Sequence, residues 1–168
     1  MLKASGAARG VEITVVYAAH ANSLPLSLLD EAERKSLAAN GLGFEPGPPT
    51  GFVVKFTNGL TAYLSGDTGI HTEMKTVVNE FHKTNLAVLN LGPNAITPAS
   101  AAYSVNELIK PAAVIATHVN EGATSGGKLK PNSRTAAFTK LSKPPVHLAL
   151  SGRTMEFDGS GKYVAGCN

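Results

Sequence analysis

The chain has 168 residues, the size of one domain, and 43% of them are hydrophobic. This composition supplies enough apolar material for a core and excludes wholesale disorder. The formal net charge is +3, but the basic residues are scattered, whereas a nucleic-acid-binding face needs clustered Lys and Arg. The single cysteine, Cys167, excludes both an intrachain disulfide and a cysteine metal site.

Hydrophobic periodicity divides the chain into strands and helices. An alternating pattern predicts a strand, and apolar residues spaced three and four apart predict a helix. In chain order, the predicted elements are a strand over 11–17, a helix over 26–39, strands over 52–56 and 60–64, a helix over 72–83, a strand over 86–91, a helix over 99–109, a strand over 112–117, a short helix capped by Asn132 and ending at Leu141, and a closing pair of strands over 146–150 and 154–157.

Two adjacent strands are predicted to form a hairpin. The segments 52–56 and 60–64 are separated by Asn58-Gly59, which is the strongest short hairpin signal. The preceding segment, 43–51, contains three prolines and three glycines, so we expect an irregular loop there.

The best-defined helix has one apolar stripe. Met74, Val77, Val78 and Phe81 fall at helical spacing, so we expect them to face the core together. The apolar run over 86–91 that follows has the length of a strand buried on both faces.

Strands and helices therefore alternate, with one hairpin inserted, and this order predicts an α/β fold built in layers. We expect a single domain over 1–158 and a loose C-terminal tail over 159–168.

Three polar residues, His20, Asp67 and His118, each follow directly on the end of a predicted apolar strand. In layered α/β folds, functional sites gather at the carboxyl ends of strands. Two imidazoles and one carboxylate form a ligand set that suits Zn²⁺ or Fe²⁺. A metal with an open coordination position activates water at neutral pH, so this set favours metal-dependent hydrolysis.

Each of these residues also has a structural alternative. A histidine at a strand end can be held by hydrogen bonds for structural reasons alone. Asp67 lies in Ser-Gly-Asp-Thr-Gly, where an aspartate can accept backbone N–H groups while the glycines adopt positive φ. The residue pattern alone leaves both interpretations open.

Three segments together resemble the metallo-β-lactamase superfamily. The segment 60–69, which contains Gly-Asp-Thr-Gly, resembles the strand carrying the family's metal-bridging aspartate. The segment 113–118, ending in Thr-His, resembles the last histidine ligand, and 18–23 resembles the histidine upstream of the aspartate. The order of the segments is the family order, and the similarity spans roughly 11–158. The resemblance implies metallo-β-lactamase-like αββα layers, of which this chain is the C-terminal portion.

The resemblance also implies a ligand set. Asp67 bridges two zinc ions, His20 serves one ion and His118 serves the other, so one or two divalent ions are expected. The family's defining His-x-His-x-Asp-His motif is absent from this chain, in which no histidine precedes His20. An incomplete sandwich exposes an apolar sheet face, so we expect a homo-oligomer formed through that face.

Further candidate residues surround these motifs. His71, four residues after Asp67, is a possible additional metal ligand, with a solvent-facing histidine at a helix start as the alternative. Lys128 and Lys130 lie in the glycine-rich segment after His118 and are candidates for attracting an anionic substrate, with a solvated loop as the alternative.

The expected function is hydrolysis of a small-molecule ester, lactone, amide or phosphodiester, with Asp67 and His118 as the catalytic residues. One alternative is a truncated or degenerate module of the same fold that acts through assembly without catalysis. Another is a metal-independent serine esterase in which Ser65 pairs with His20 or His118.

The sequence predicts no membrane partner. No apolar run approaches the roughly 20 residues of a membrane span, and the first residues lack the apolar core of a signal peptide. The cytoplasm is therefore the default expectation.

Overall fold

A computed structural model describes residues 2–3, 10–22, 26–43 and 47–166 of the chain. The elements in chain order are β1 (Leu2–Lys3), β2 (Glu12–Tyr17), a short 3₁₀ helix (Leu26–Leu28), α1 (Glu31–Ala39), β3 (Thr50–Lys55), β4 (Thr61–Leu64), a π-type helix (Met74–Phe81), β5 (Leu86–Asn90), α2 (Pro98–Tyr103) with a π-type continuation (Ser104–Ile109), β6 (Ala113–Thr117), α3 (Asn120–Ala123), β7 (Thr124–Ser125), β8 (Lys128–Leu129), α4 (Arg134–Leu141), β9 (Val146–Leu148), β10 (Met155–Phe157) and β11 (Tyr163–Gly166).

One mixed sheet organises the described part of the chain. Its strand order is β1-β2-β3-β4-β5-β6-β9. Pairing is antiparallel from β1 to β4 and parallel from β4 through β9. Each parallel connection passes through a helical segment, so the carboxyl ends of β4, β5 and β6 meet at the same edge of the sheet.

The main core lies between one face of the sheet and the helices. Tyr63, Ala87 and Val114 are neighbours in register on β4, β5 and β6, and all three are fully buried. The buried helical residues that pack on this face are Met74, Val78, Ala101, Ala102, Val105, Ile109 and Phe138. The helix α1 contributes no buried residue and begins with a capping box between Asp30 and Glu33.

The described residues cover only part of the opposite face of the sheet. The paired strands β10 and β11 cover the amino ends of β4, β5 and β6, where Phe157 packs against the cluster of Ala62, Leu86 and Ala113. Beyond this cover, a row of apolar side chains crosses the sheet in register. This row, which we call the open-face row, consists of Val15, Phe52, Leu64, Val88 and Ile115.

The members of the row on the β2 side are the most exposed. Val15 is 51% exposed, and Phe52 and Leu64 are each 39% exposed. An apolar face left uncovered in this way is what the sequence predicted for an incomplete sandwich. The α/β layers are confirmed, and no helix within the described ranges is long and apolar enough to cross a membrane.

The hairpin at Asn58-Gly59 is confirmed, with β3 and β4 antiparallel around it and Gly59 at a φ of 97°. The stripe prediction is only partly right. Met74 and Val78 are fully buried, whereas Phe81 is 75% exposed and packs edge-on against His82. The helix is of π type, so its wider winding turns position 81 away from the face that buries Met74.

The end of the chain also differs from the prediction. The closing strands do not pair with each other, because β9 joins the main sheet beside β6 and β10 pairs with β11. The segment 159–168 therefore contains a strand, Tyr163–Gly166, where we expected a loose tail. The cap of α4 is Ser133 rather than Asn132, since the Ser133 hydroxyl accepts the Ala136 N–H.

Candidate functional site

Asp67 lies in a tight turn that directly follows β4. Gly66 has a φ of 59°, and a Cβ on it would lie 2.5 Å from the carbonyl oxygen of Thr50, so only glycine fits. The next residues are tied to the segment after β2. The Gly69 N–H donates to the Ala19 carbonyl (2.8 Å), and the Ala19 N–H donates to the Thr68 hydroxyl (2.9 Å).

The structure brings Asp67 and His118 together. His118 follows β6 with a φ of 57°, and its Nδ1 lies 2.9 Å from Asp67 Oδ1. Both side chains are about half exposed, at 45% for His118 and 49% for Asp67. A carboxylate oxygen only accepts, so Nδ1 carries the hydrogen of this bond, and Nε2 is left with a lone pair in the neutral ring.

A third residue, Asn90, completes this cluster and was missed by the sequence reasoning. It ends β5, is 1% exposed, and its Oδ1 lies 3.1 Å from His118 Nδ1. The same oxygen accepts the Gly92 N–H at 2.6 Å, and the Asn90 N–H donates to the Ser65 hydroxyl at 2.9 Å. The only signal in the sequence is a polar residue within the apolar run over 86–91.

Arg134, at the start of α4, supports the loop behind this cluster. Its guanidinium donates to the carbonyl oxygens of Leu91 and Gly92, both at 3.4 Å, and to that of Ile96. Three carbonyl oxygens of the 91–96 loop thus share one charged donor from α4. The sequence offered no sign of this role, because the acceptors are backbone atoms about 40 residues away.

His20 lies apart from the pair. It is exposed, and its Nδ1–H donates to the Ala21 carbonyl at 2.8 Å. Within the described ranges, no three His, Cys, Asp or Glu side chains are grouped closely enough to hold a metal ion. Asp67 and His118 fit a divalent metal by the chemistry of their donor atoms, one carboxylate and one imidazole nitrogen, but they supply only part of a ligand set.

His71 is half-buried and packs edge-on against the ring of Tyr17, with the ring centroids 5.2 Å apart. Neither ring nitrogen has a hydrogen-bond partner among the described residues. Burial lowers the pKa of His71 below its ordinary value, and the nearby Glu73 opposes this effect. Its role as an additional ligand stays a prediction.

Three cavities adjoin His118. One of about 300 Å³ is lined by Asp67, Asn90 and His118 together with the open-face residues Phe52, Leu64 and Val88. The other two, each of about 430 Å³, lie on the α3 and β9 sides of His118. Lys128 and Lys130 are exposed on and beside β8 and line none of these three cavities, so their part in substrate binding also stays a prediction.

Ser65 does not fit the serine-esterase alternative. It is 1% exposed, its hydroxyl donates to the Gly66 carbonyl at 2.8 Å, and the same oxygen accepts the Asn90 N–H. Its hydrogen and a lone pair are therefore both used in backbone bonds, and a nucleophile needs a free, accessible oxygen paired with a base.

Sequence comparison finds relatives among bacterial hydrolases. The chain is 30% identical over 150 residues to a UPF0173 metal-dependent hydrolase of Polynucleobacter asymbioticus, and this match covers 88% of the chain and 48% of the relative. It is 31% identical over 136 residues to a second UPF0173 metal-dependent hydrolase, from a Polaromonas species, covering 78% of the chain and 45% of that relative. The chain thus spans about half the length of the curated relatives it matches. No family model matches it.

Solved structures show the same fold. Igni18, a metallo hydrolase from the archaeon Ignicoccus hospitalis, superposes with a TM-score of 0.56 at 20% identity, covering 92% of this chain and 52% of Igni18. The metallo-β-lactamase fold protein YhfI from Bacillus subtilis superposes with a TM-score of 0.52 at 10% identity, covering 84% of this chain and 48% of YhfI.

Proposed function

We propose that this chain, which has the metallo-β-lactamase fold, carries part of the metal centre of a metal-dependent hydrolase. The observation that carries this proposal is the contact between Asp67 and His118 at the carboxyl ends of β4 and β6. A carboxylate and an imidazole at one sheet edge, beside a cavity of about 300 Å³, suit a bound metal and a small substrate.

In this proposal, Asp67 and the Nε2 atom of His118 hold a divalent metal, for which zinc is the first candidate. The bound metal would supply activated water and polarise a carbonyl or phosphoryl oxygen. The residues of this chain orient the two ligands. Gly66 permits the turn that presents Asp67, and Asn90 contacts the imidazole of His118.

The proposed substrates are small esters, lactones, amides or phosphodiesters, which share an electrophilic carbonyl or phosphoryl centre. His20 is proposed as a further ligand. This role is supported by two hydrogen bonds that join its segment to the turn that carries Asp67. The proposed ligand set stays incomplete without donors from outside the described residues.

Calorimetric titration with Zn²⁺ tests the metal site directly. The chain, Asp67→Ala and His118→Ala are compared, with His82→Ala as a histidine control, since His82 lies at the end of the 74–81 helix. The proposal expects weaker binding in the first two variants and unchanged binding in the control. Equal binding in all four proteins, or no binding in any, contradicts it.

A second candidate is a module of the same fold that acts through assembly without catalysis. One observation favours it, which is that no complete set of metal ligands is grouped within the described residues. Hydrolysis of 4-nitrophenyl acetate separates the candidates. Activity abolished by a chelator and by His118→Ala supports the metal-dependent hydrolase, activity that survives both contradicts it, and no activity supports the assembly module.

A further inference from the structure

We infer that Asn90 is a positioning residue that fixes the ring orientation and the protonated nitrogen of His118, and thereby presents Nε2 to the metal. This inference rests on the proposed function for the role of Nε2. It concerns a residue to which the proposed function gives no ligand role.

The orientation of the Asn90 amide is itself determined by the backbone. The Gly92 N–H lies 2.6 Å from Oδ1, and an N–H donor selects the oxygen of an amide rather than its NH₂ group. The Asn90 N–H donates to the buried Ser65 hydroxyl, which anchors the residue from a second side. The amide oxygen therefore faces His118 for reasons independent of His118.

An oxygen that can only accept then dictates which nitrogen of His118 carries the proton. Oδ1 of Asn90 lies 3.1 Å from Nδ1, so Nδ1 is the donor and Nε2 keeps its lone pair. Metal-binding histidines commonly donate their second nitrogen to a carbonyl or carboxylate, which holds the ring and selects the tautomer. Asn90 is placed to do this from the last residue of β5.

Asp67 also contacts Nδ1, at 2.9 Å. In the proposed function, its carboxylate would also have to hold the metal. Asn90 has no such second task, because its side chain is 1% exposed and the proposal gives it no ligand role. Its Nδ2 is buried and has no hydrogen-bond partner among the described residues, so the amide is present at this position for its oxygen.

Nitrogen NMR of ¹⁵N-histidine-labelled chain tests the inference without metal. Asp67→Ala removes the competing acceptor, and in this variant we expect His118 to remain in the Nδ1–H tautomer. Adding Asn90→Leu should then give a mixture of both tautomers, whereas adding Asn90→Asp, which keeps an acceptor oxygen, should preserve the Nδ1–H form. Asn94→Leu, at an exposed position of the 91–96 loop, is the control.

Two results overturn the inference. One is loss of the Nδ1–H tautomer in Asp67→Ala alone. The other is persistence of that tautomer when Asn90→Leu is added to Asp67→Ala. Circular dichroism checks that each variant is folded, and loss of the Nδ1–H form in Asp67→Ala still overturns the inference if the leucine variant does not fold.

A second measurement addresses the metal. In the Asp67-containing chain, Asn90→Leu is expected to weaken Zn²⁺ binding by about 10- to 100-fold, the range for loss of such an orienting partner. If the variants show the expected tautomers but the chain binds no Zn²⁺ at all, the proposed function is refuted and the positioning role stays intact. Normal Zn²⁺ binding in Asn90→Leu would refute the positioning role and leave the proposed function intact.

Discussion

Gly92 lies directly against the imidazole of His118. A Cβ at position 92 would be 2.5 Å from Nδ1 and 2.9 Å from Cε1 of the ring. The Gly92 N–H also donates to the side-chain oxygen of Asn90. Gly92 therefore both orients the Asn90 amide and limits how closely the His118 ring can approach the 91–96 loop. The loop, the amide and the imidazole therefore form one packed unit at the edge of the sheet.

Gly92→Ala should push the His118 ring out of this unit. The added methyl group has no room, and overpacking of this kind costs about 1–3 kcal/mol when neighbours must shift. We expect the free energy of unfolding to fall by that amount in urea denaturation. Gly43→Ala is the control, because a Cβ at Gly43 meets no atom within 4 Å. Equal free energies of unfolding in Gly92→Ala and Gly43→Ala would show that the His118 ring moves aside without loss of stability.

The paired strands β10 and β11 are predicted to be held on the sheet by aromatic stacking. The ring of Tyr163 stacks on His147 with centroids 4.8 Å apart, and Phe157 meets both rings edge-on. Tyr163→Ala should lower the free energy of unfolding by about 1–2 kcal/mol, since it removes both the stacking and the buried area. Val164→Ala, at the adjacent exposed position, should change it by less than about 0.5 kcal/mol. Comparable losses in both variants would argue against a specific role for the stack.

His71 should make stability depend on pH. Burial lowers its pKa in the folded chain, whereas in the unfolded chain the pKa returns to about 6.5. As the pH falls below that value, the unfolded chain binds a proton that the folded chain does not, so the folded state loses stability. His71→Phe keeps an aromatic ring beside Tyr17 but cannot be protonated.

Urea denaturation followed by circular dichroism measures this effect without added metal. The quantity to follow is the free energy of unfolding of the unsubstituted chain minus that of His71→Phe. This difference should be constant above about pH 7.5 and should fall as the pH is lowered toward 5. If this difference does not vary with pH, His71 is not the cause of any pH dependence of stability.

The sequence predicted Asp67 and His118 because both are marked locally. Each follows an apolar strand, and the alternation of strands and helices implied parallel pairing, which brings the two strand ends to one edge. Asn90 and Arg134 carry no such local mark. The partners of Asn90 include a backbone N–H in the following loop and the ring of His118 after β6, and those of Arg134 are three carbonyl groups of the 91–96 loop.

The end of the chain was mispredicted for a different reason. The turn before β11 is built around Asp158, whose carboxylate accepts the N–H groups of Ser160 and Lys162. The Asp-Gly at 158–159 is itself a hairpin signal, but the strand it introduces is only four residues long. The sequence does not show that Tyr163 stacks on His147. By itself, so short a segment has too little apolar surface for its sequence to indicate a strand.

The assembly candidate predicts that the open-face row joins two copies of this chain, which would cover the cavity beside His118, because Phe52, Leu64 and Val88 line both. The members of the row, Val15, Phe52, Leu64, Val88 and Ile115, are all uncharged, so two copies related by a two-fold axis can bring the same apolar patch together without repulsion between like charges. Sedimentation velocity should then show a concentration-dependent dimer.

Phe52→Glu places a charge at the centre of the exposed part of the row and should shift the protein to monomer. Phe81→Glu is the control, because Phe81 is also exposed but lies on a helix on the other side of the sheet. A monomer at all concentrations up to about 100 µM, a range in which specific interfaces normally associate, or a dimer that Phe52→Glu leaves intact, would show that this face does not bind a second copy.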